Sequence, residues 1–356
     1  FPARPLHPGM EGHRRDGEIV VGGDARQRFH DARGYGRPLD GNEVALAPVE
    51  AAHLLFRGDL ETVDGADFEA FVAGLSGDFD ARFLVFADLR ARGFYLVPAR
   101  EGWVDDAPDT ADFVVFERGS GPPDGDVAYG LRAVGERTDV PAADLGDVAL
   151  AVADEEGEVT YFETGRPEPG GEATYEPPAA HGTVLADRVL VAEPPDGLYE
   201  RGFYGQPLGV TNGEGSEESG TRSIQLSLVE AAYLARRGTL SVEGGEAAVV
   251  ERGRTVEGER FDRRLAVYEA LRERGVVPKT GFKFGADFRT YDRVESVEEL
   301  GHSEALVRVL PPGYVFTPRE LALDVRLAAG VRKRTLFALT DGDGPIEWLE
   351  VGRLTP

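Results

Sequence analysis

Three polar side chains in the last quarter of the chain carry groups that can exchange protons or stabilise a charge. Tyr291 and His302 stand eleven residues apart, on segments that read as two consecutive strands, and Lys333 opens a third, KRTLFAL. A phenol, an imidazole and an ammonium group can accept protons, donate protons and stabilise an anion. A strand tyrosine or a lone histidine is usually structural, so the surrounding elements must decide between packing and chemistry.

An internal duplication supplies a comparison for each of these residues. YGRPL at 35–39 returns as YGQPL at 204–208, VEAAHLLFRGDL at 49–60 as VEAAYLARRGTL at 229–240, and FLVFADLRARG at 83–93 as LAVYEALRERG at 265–275. The matches keep their order while their offsets grow slowly, which indicates a tandem repeat with insertions in loops.

Each repeat shows the same order of predicted elements and indicates a mixed α/β (α+β) fold. An N-terminal α/β subdomain carries a strand meander and a helix, at 229–237 in the second repeat. A second helix, at 261–274, opens a C-terminal subdomain of strands. Thr317, Pro318 and Glu320 supply the N-cap, the first-turn proline and the capping-box glutamate of a further helix that ends at Gly330.

The domain boundaries follow from these elements. We expect a first repeat over 10–168, with subdomains of about 10–80 and 81–168, and a linker over 169–178. The second repeat then covers 179–356, with subdomains of about 179–260 and 261–356. Residues 1–9, which precede the single methionine, are expected to be an upstream extension, and 212–221 an exposed loop.

The first repeat lacks the three candidate side chains. We align three segments of the first repeat with the second. The match of 113–119 to 288–294 pairs Phe116 with Tyr291, and the match of 131–135 to 306–310 pairs Val127 with His302. The match of 157–166 to 344–353 pairs Gly146 with Lys333. Strand alternation also predicts that Tyr291 and His302 lie on polar faces. Their joint absence from the first repeat favours a site that only the second repeat retains.

Composition narrows the classes of function. The net charge is −25, and 36 of the 39 basic residues are arginine, a balance that resembles the proteins of salt-loving archaea. The Debye length falls to roughly 3 Å at 1 M salt, so this charge does not exclude a nucleic-acid partner. The chain has no cysteine, which excludes disulfides, a thiolate nucleophile and cysteine-bound metals. No apolar run is long enough for a membrane helix, and we expect a cytoplasmic protein without membrane association.

Three segments carry a resemblance to a known family. They are KTGFKFGADFRTY at 279–291, GHSEALV at 301–307 and RLAAGVRK at 326–333. Together they resemble the archaeal tRNA-splicing endonucleases, over essentially the whole chain from Met10 onward. The branch it looks like fuses a degenerate structural repeat to a catalytic repeat, each with a nuclease-like C-terminal subdomain, and pairs as a homodimer.

The resemblance implies an activity and a role for each residue. The substrate would be precursor tRNA, cut at bulge-helix-bulge motifs through the RNA's own 2′-hydroxyl, without a metal or other cofactor. Tyr291 would be the general base, His302 the general acid and Lys333 the stabiliser of the pentacoordinate phosphate. By the same resemblance Arg326 and Arg353 would sandwich a bulged base. The acidic loops 154–158 and 341–344 resemble the family's assembly loop, and we favour the first.

Two other functions remain open at this point. A metal-dependent nuclease of the restriction type needs a carboxylate two residues before a lysine, but the three lysines are preceded there by Val277, Gly281 and Val331. A catalytically inactive RNA-binding or assembly subunit would tolerate loss of the three polar residues. Their retention in the second repeat argues against this alternative.

Overall fold

A computed structural model describes residues 10–75, 77–100, 102–104, 107–121, 125–208 and 223–356. The chain divides into two compact units. The first holds the residues up to Gly165 with Val315–Leu321 and Gly352–Pro356, and the second holds Arg166–Tyr314 with Ala322–Val351. The expected extension at 1–9 and the expected exposed loop at 212–221 lie outside the described residues.

The described residues of the first unit form two larger sheets, a two-stranded pair and three α-helices. Its strands are β1 Glu11–Arg15, β2 Glu18–Val21, β3 Arg37–Pro38, β4 Val44–Leu46, β5 Thr62–Val63, β6 Leu96–Pro98, β7 Phe113–Phe116, β8 Val127–Gly135, β9 Val140–Pro141, β10 Ala149–Ala153 and β11 Val159–Gly165; its helices are α1 Pro48–Phe56, α2 Phe68–Ala73 and α3 Phe79–Ala91. One sheet has the order β3-β4-β2-β1-β5. In the other, β6, β7, β8, β10 and β11 are successive neighbours, and α3 packs on β8 and β10.

The second unit repeats this plan. The strands and helices that follow β11 are β12 Ala180–His181, β13 Thr183–Val184, β14 Arg188–Val191, β15 Gln206–Pro207, β16 Ile224–Ser227, α4 Leu228–Arg236, β17 Leu240–Ser241, α5 Gly245–Glu257, α6 Arg260–Glu273, β18 Val277–Thr280, β19 Phe288–Tyr291, β20 Ala305–Leu310, β21 Val315–Phe316, α7 Pro318–Gly330, β22 Arg334–Leu339 and β23 Glu347–Arg353. Strands β18, β19, β20, β22 and β23 are successive neighbours, and α6 packs on β18 and β20. Strand β21 is counted in the first unit, where it pairs with β9. The duplicated mixed α/β fold is confirmed.

Most helices of the second unit follow their sequence signals. The expected helices 229–237 and 261–274 correspond to α4 and α6 within one residue, and α7 begins where Thr317 Oγ1 accepts the Glu320 backbone N–H at 3.2 Å. Helix α5 was not expected, because its two glycines and its β-branched residues disfavour a helix. Tertiary packing explains it: Gly253 is buried, and a side chain there would lie 2.2 Å from the ring of Phe261.

The sheet register corrects one alignment between the repeats. Asp112 N donates to Leu131 O and Asp112 Oδ2 accepts from Ala133 N, each at 2.8 Å. Asp287 makes the same two contacts with Val307 and Val309, at 2.9 and 2.8 Å. The strands therefore match with Leu131 at the place of Val307, one residue from the expected alignment. The pairing of β7 with β8 shifts register again between Val115 and Phe116, so this match does not extend to the position of His302. The loss of a polar group in the first repeat holds for Tyr291 and Lys333.

A buried carboxylate without a cation distinguishes the first unit. Glu50 is fully buried on α1 and accepts the backbone N–H groups of Gly36 at 2.7 Å and Ala47 at 2.9 Å. Within the described part of the chain, no lysine or arginine makes an ion pair with it. Burial raises the pKa of Glu50 to about 7, although the two backbone N–H groups act to lower it.

The raised pKa gives Glu50 a defined effect on stability. The group is protonated in the folded unit and ionised in the unfolded chain between pH 4.5 and pH 7, so the free energy of unfolding falls as pH rises through this window. We expect Glu50→Gln to remove this fall, which amounts to about 3 kcal/mol. Chemical denaturation in high salt at pH 5 and pH 8, wild type against variant, measures it. Equal pH dependence in both proteins would contradict the assignment.

Candidate active site

Strand direction brings the three candidate residues to one end of the second unit's sheet. Strand β19 is antiparallel to β20, with Thr290 opposite Ala305, and β20 is parallel to β22, with Ala305 opposite Arg334. The C-terminal end of β19 therefore meets the N-terminal ends of β20 and β22. Tyr291 is the last residue of β19, His302 lies three residues before β20, and Lys333 directly precedes β22.

His302 does not lie on a strand, contrary to expectation. Residues 301–304 are irregular, and the His302 side chain is exposed. Glu304 fixes this segment to both neighbours: its N–H donates to Thr290 O at 2.9 Å, its carbonyl accepts Arg334 N at 3.0 Å, and its Oε2 accepts Asp292 N at 3.1 Å. The backbone next to His302 is thus held, while the imidazole faces solvent.

Tyr291 is buried, which corrects the expectation of a polar face. Its side chain packs with Phe203, Val277 and Val294, in a cluster separate from the main core of the unit. The Phe203 ring meets it edge to face, with centroids 5.5 Å apart and planes at 65°. The guanidinium carbon of Arg289 lies 5.8 Å from the Tyr291 ring centroid. No described residue makes a hydrogen bond with the Tyr291 hydroxyl, so protein contacts hold the ring and leave the hydroxyl unengaged.

The end of α7 sets the position of Lys333. Arg332 N donates to Ala329 O at 3.0 Å and Lys333 N to Ala328 O at 2.9 Å, the two bonds of a Schellman motif. Arg332 occupies its left-handed position, with φ of 57°. The Lys333 Nζ then donates to Ser303 O at 2.6 Å. This bond ties Lys333 to the residue that follows His302.

A buried ion pair supports the turn beneath Tyr291. Lys279 Nζ donates to Glu230 Oε1 at 2.7 Å, to Gly205 O at 3.0 Å and to Phe203 O at 3.1 Å, which uses all three of its N–H donors. Glu230 also accepts the backbone N–H groups of Ser227 and Gly205. Burial alone would raise the pKa of Glu230, but the Lys279 ammonium and these N–H groups hold the pKa below its ordinary value.

The first repeat keeps the carboxylate of this pair and loses the cation. Glu50 corresponds to Glu230 in the shared V-E-A-A segment. The register of β6 on β7, compared with β18 on β19, places Val97 at the position of Lys279. The lysine is therefore specific to the repeat that carries Tyr291, and nothing in the periodicity of the sequence singled it out.

The two expected base-binding arginines are both exposed. Arg326 lies on α7 and makes no hydrogen bond or ion pair with any described residue; Asp324, one of its possible helix partners, instead pairs with Arg308. Arg353 ends β23 in the segment assigned to the first unit. The proposal that these two arginines act together stays a prediction.

We also searched the described residues for metal-binding groups and for helices that could span a membrane. Among them, no group of three or more histidine, aspartate or glutamate residues is placed to hold a metal ion. No helix in the described ranges is both long and apolar enough to cross a bilayer.

Replacing Lys279 with valine, the residue of the first repeat, tests the buried pair. In the wild type, the lowered pKa of Glu230 stabilises the fold above about pH 4.5 and loses this effect as pH falls. Without the lysine, Glu230 should behave like Glu50 and destabilise the fold as pH rises toward 7. We expect Lys279→Val to cost roughly 3 to 5 kcal/mol at pH 8 and clearly less at pH 5. Denaturant titrations at both pH values measure this, and a pH-independent loss would contradict it.

Known proteins match the chain over nearly its full length. A family model described as the tRNA intron endonuclease catalytic C-terminal domain matches residues 261–348, and the corresponding N-terminal domain model matches twice, at 10–72 and 180–252. Relatives named tRNA-splicing endonuclease from Haloarcula marismortui and Haloferax volcanii are 60% and 55% identical, over 96% and 98% of this chain and 98% and 100% of theirs. A relative of the same name from Methanosarcina mazei is 36% identical over 94% of this chain and 96% of its own. The resemblance to endonucleases of halophilic archaea is confirmed, and the chain belongs to the tRNA intron endonuclease family.

Proposed function

We propose that this protein is a cytoplasmic endoribonuclease that excises introns from precursor tRNA at bulge-helix-bulge motifs. The observation that carries the proposal is the meeting of three segments at one end of the sheet: the end of β19, the segment before β20 and the end of α7. All three lie within residues 261–348, the range matched by the catalytic-domain model. Relatives that match 96% and 98% of this chain are named tRNA-splicing endonuclease.

The proposed reaction is transesterification by the RNA's own 2′-hydroxyl. Tyr291 takes the proton from this hydroxyl as the 2′-oxygen attacks the adjacent phosphorus. His302 donates a proton to the departing 5′-oxygen, and the Lys333 ammonium balances the charge of the pentacoordinate phosphate. The P–O5′ bond breaks as the P–O2′ bond forms, which leaves a 2′,3′-cyclic phosphate and a 5′-hydroxyl. The class is that of an RNA lyase, and no metal takes part.

Burial and exposure fit this division of roles. A general base must reach one defined proton, and the packed ring of Tyr291 restricts where its hydroxyl can lie. The guanidinium of Arg289 beside that ring adds positive charge next to the phenol. The exposed imidazole of His302 can exchange protons with water between turnovers.

We also propose that the substrate is held by Arg326 and Arg353 and that the active enzyme is a homodimer. Stacking of a guanidinium on an unpaired base is a short-range contact that high salt weakens less than phosphate pairing.

One active repeat per chain gives a homodimer two active sites, one for each of the two exon–intron junctions. The loop 154–158 is the proposed assembly contact; Asp154 Oδ1 accepts the N–H groups of Glu156 and Glu158 at 2.9 Å, which fixes its turn.

Tyr291→Phe and His302→Ala test the proposed mechanism in excess EDTA. Tyr291→Phe copies Phe116 of the first repeat and removes a hydroxyl that no described residue hydrogen-bonds, so stability should change by less than about 0.5 kcal/mol. We expect single-turnover cleavage of a bulge-helix-bulge RNA to fall by about 10² to 10⁴ in each variant, with RNA binding retained.

Three other results would each refute the proposal. Loss of wild-type cleavage on adding EDTA would indicate a metal-dependent nuclease. Absence of cleavage with retained RNA binding would indicate an RNA-binding or assembly subunit. Full activity of Tyr291→Phe would remove the tyrosine from the reaction.

A further inference from the structure

Two bulky residues of the described chain adopt a backbone conformation that usually belongs to glycine. Five described residues other than glycine have positive φ, and three of them are aspartate or asparagine, which tolerate it. The other two are Arg332, with φ of 57°, and Phe203, with φ of 52°. Arg332 is exposed, whereas Phe203 is only 5% exposed. A buried aromatic residue in this region is strained and needs a compensating contact.

The first repeat shows the unstrained form of the same turn. Gly34 corresponds to Phe203, because each directly precedes the Tyr-Gly pair of the YGRPL and YGQPL segments. Gly34 has φ of 64°, and its N–H donates to His30 O at 2.7 Å. Phe203 N makes the equivalent bond to Tyr199 O at 2.9 Å. Glycine thus satisfies this turn in one repeat, and the other repeat carries phenylalanine despite the strain.

The compensating contact of Phe203 is the candidate base. Its ring packs edge to face on Tyr291, at 5.5 Å between centroids, and the Tyr199 ring packs edge to face with the Phe203 ring, at 5.9 Å between centroids. Lys279 Nζ lies 4.8 Å from the Phe203 ring centroid and also donates to the Phe203 carbonyl. Both the ring and the backbone of Phe203 are therefore fixed.

The two repeats differ together at this group of positions. The second repeat combines a phenol, a strained phenylalanine that packs on it, and a lysine that anchors that phenylalanine. The first repeat has none of the three side chains: the residue pairs are Tyr291 and Phe116, Phe203 and Gly34, and Lys279 and Val97.

We propose that Phe203 is a positioning residue for Tyr291, an inference that rests on the proposed role of Tyr291 as general base. The phenylalanine ring forms one wall of the apolar site that holds the tyrosine ring, so that only the hydroxyl is directed to the reacting 2′-oxygen. Displacement of a catalytic group by about 1 Å can cost on the order of 10² in rate. The strained backbone of Phe203 is thus tolerated because it places the ring that holds the Tyr291 phenol in a defined position.

Phe203→Leu tests this, with Phe261→Leu as the matched control. Both phenylalanines are buried in the second unit, but Phe261 packs on Gly253 in the main core and not in the Tyr291 cluster. We expect both variants to lower the melting temperature. Only Phe203→Leu should lower the single-turnover rate, by about tenfold or more, while the KM for the RNA changes less than about twofold. Phe203→Tyr, which keeps the ring, should retain the rate within about threefold.

Combination with Tyr291→Phe separates positioning from general stability. If Phe203 acts through the tyrosine hydroxyl, Phe203→Leu has no further effect on the rate once that hydroxyl is absent. A rate loss for Phe203→Leu equal to that of Phe261→Leu, or the same fold-loss in the Tyr291→Phe background, would overturn the inference. If either of these results is found while Tyr291→Phe alone still lowers the cleavage rate, the positioning role of Phe203 fails but the proposed function stands. An unimpaired Tyr291→Phe enzyme would instead refute the proposed function itself.

Discussion

The buried ion pair between Lys279 and Glu230 is the contact on which the rest of the site depends. Two charges removed from water are favourable only when every donor and acceptor is satisfied, and Lys279 meets this condition by binding one carboxylate and two backbone carbonyls. One of those carbonyls belongs to Phe203, whose ring packs on Tyr291. The buried ion pair thereby fixes Phe203, and Phe203 in turn fixes the position of the Tyr291 phenol at the end of the sheet.

The two repeats show which contacts the fold keeps where the residues of the proposed site are absent. Both retain the glutamate on the first helix and the aspartate that bridges two strands, because these contacts organise the backbone. In the first repeat the lysine, the strained phenylalanine and the tyrosine hydroxyl are all absent. Glu50 then remains buried with no ion-pair partner among the described residues, and burial raises its pKa to about 7. The first repeat therefore carries a cost in stability at neutral pH that the second repeat avoids.

Sequence patterns predicted the parts of this structure that depend on local signals. The duplication, helices α4, α6 and α7, and strand β19 follow from repeated segments, caps and alternation. Burial of Tyr291 was missed because it depends on Phe203, which alternation within β19 cannot reveal. The ion pair was missed because its members lie 49 residues apart, and the helix α5 because Gly253 is favoured by a contact with Phe261 rather than by propensity. The one-residue error in the alignment of β8 with β20 arose because both strands are rich in apolar residues, which match almost as well when shifted by one.

The central claim is that the second repeat cleaves RNA through the substrate's own 2′-hydroxyl. The most direct measurement uses a bulge-helix-bulge RNA with a single 2′-deoxynucleotide on the 5′ side of one scissile phosphate, incubated with the enzyme in excess EDTA. The account predicts normal cleavage at the unmodified junction, with 2′,3′-cyclic phosphate and 5′-hydroxyl ends, and no cleavage at the modified one. Cleavage at both junctions would mean that water is the nucleophile and would contradict the account.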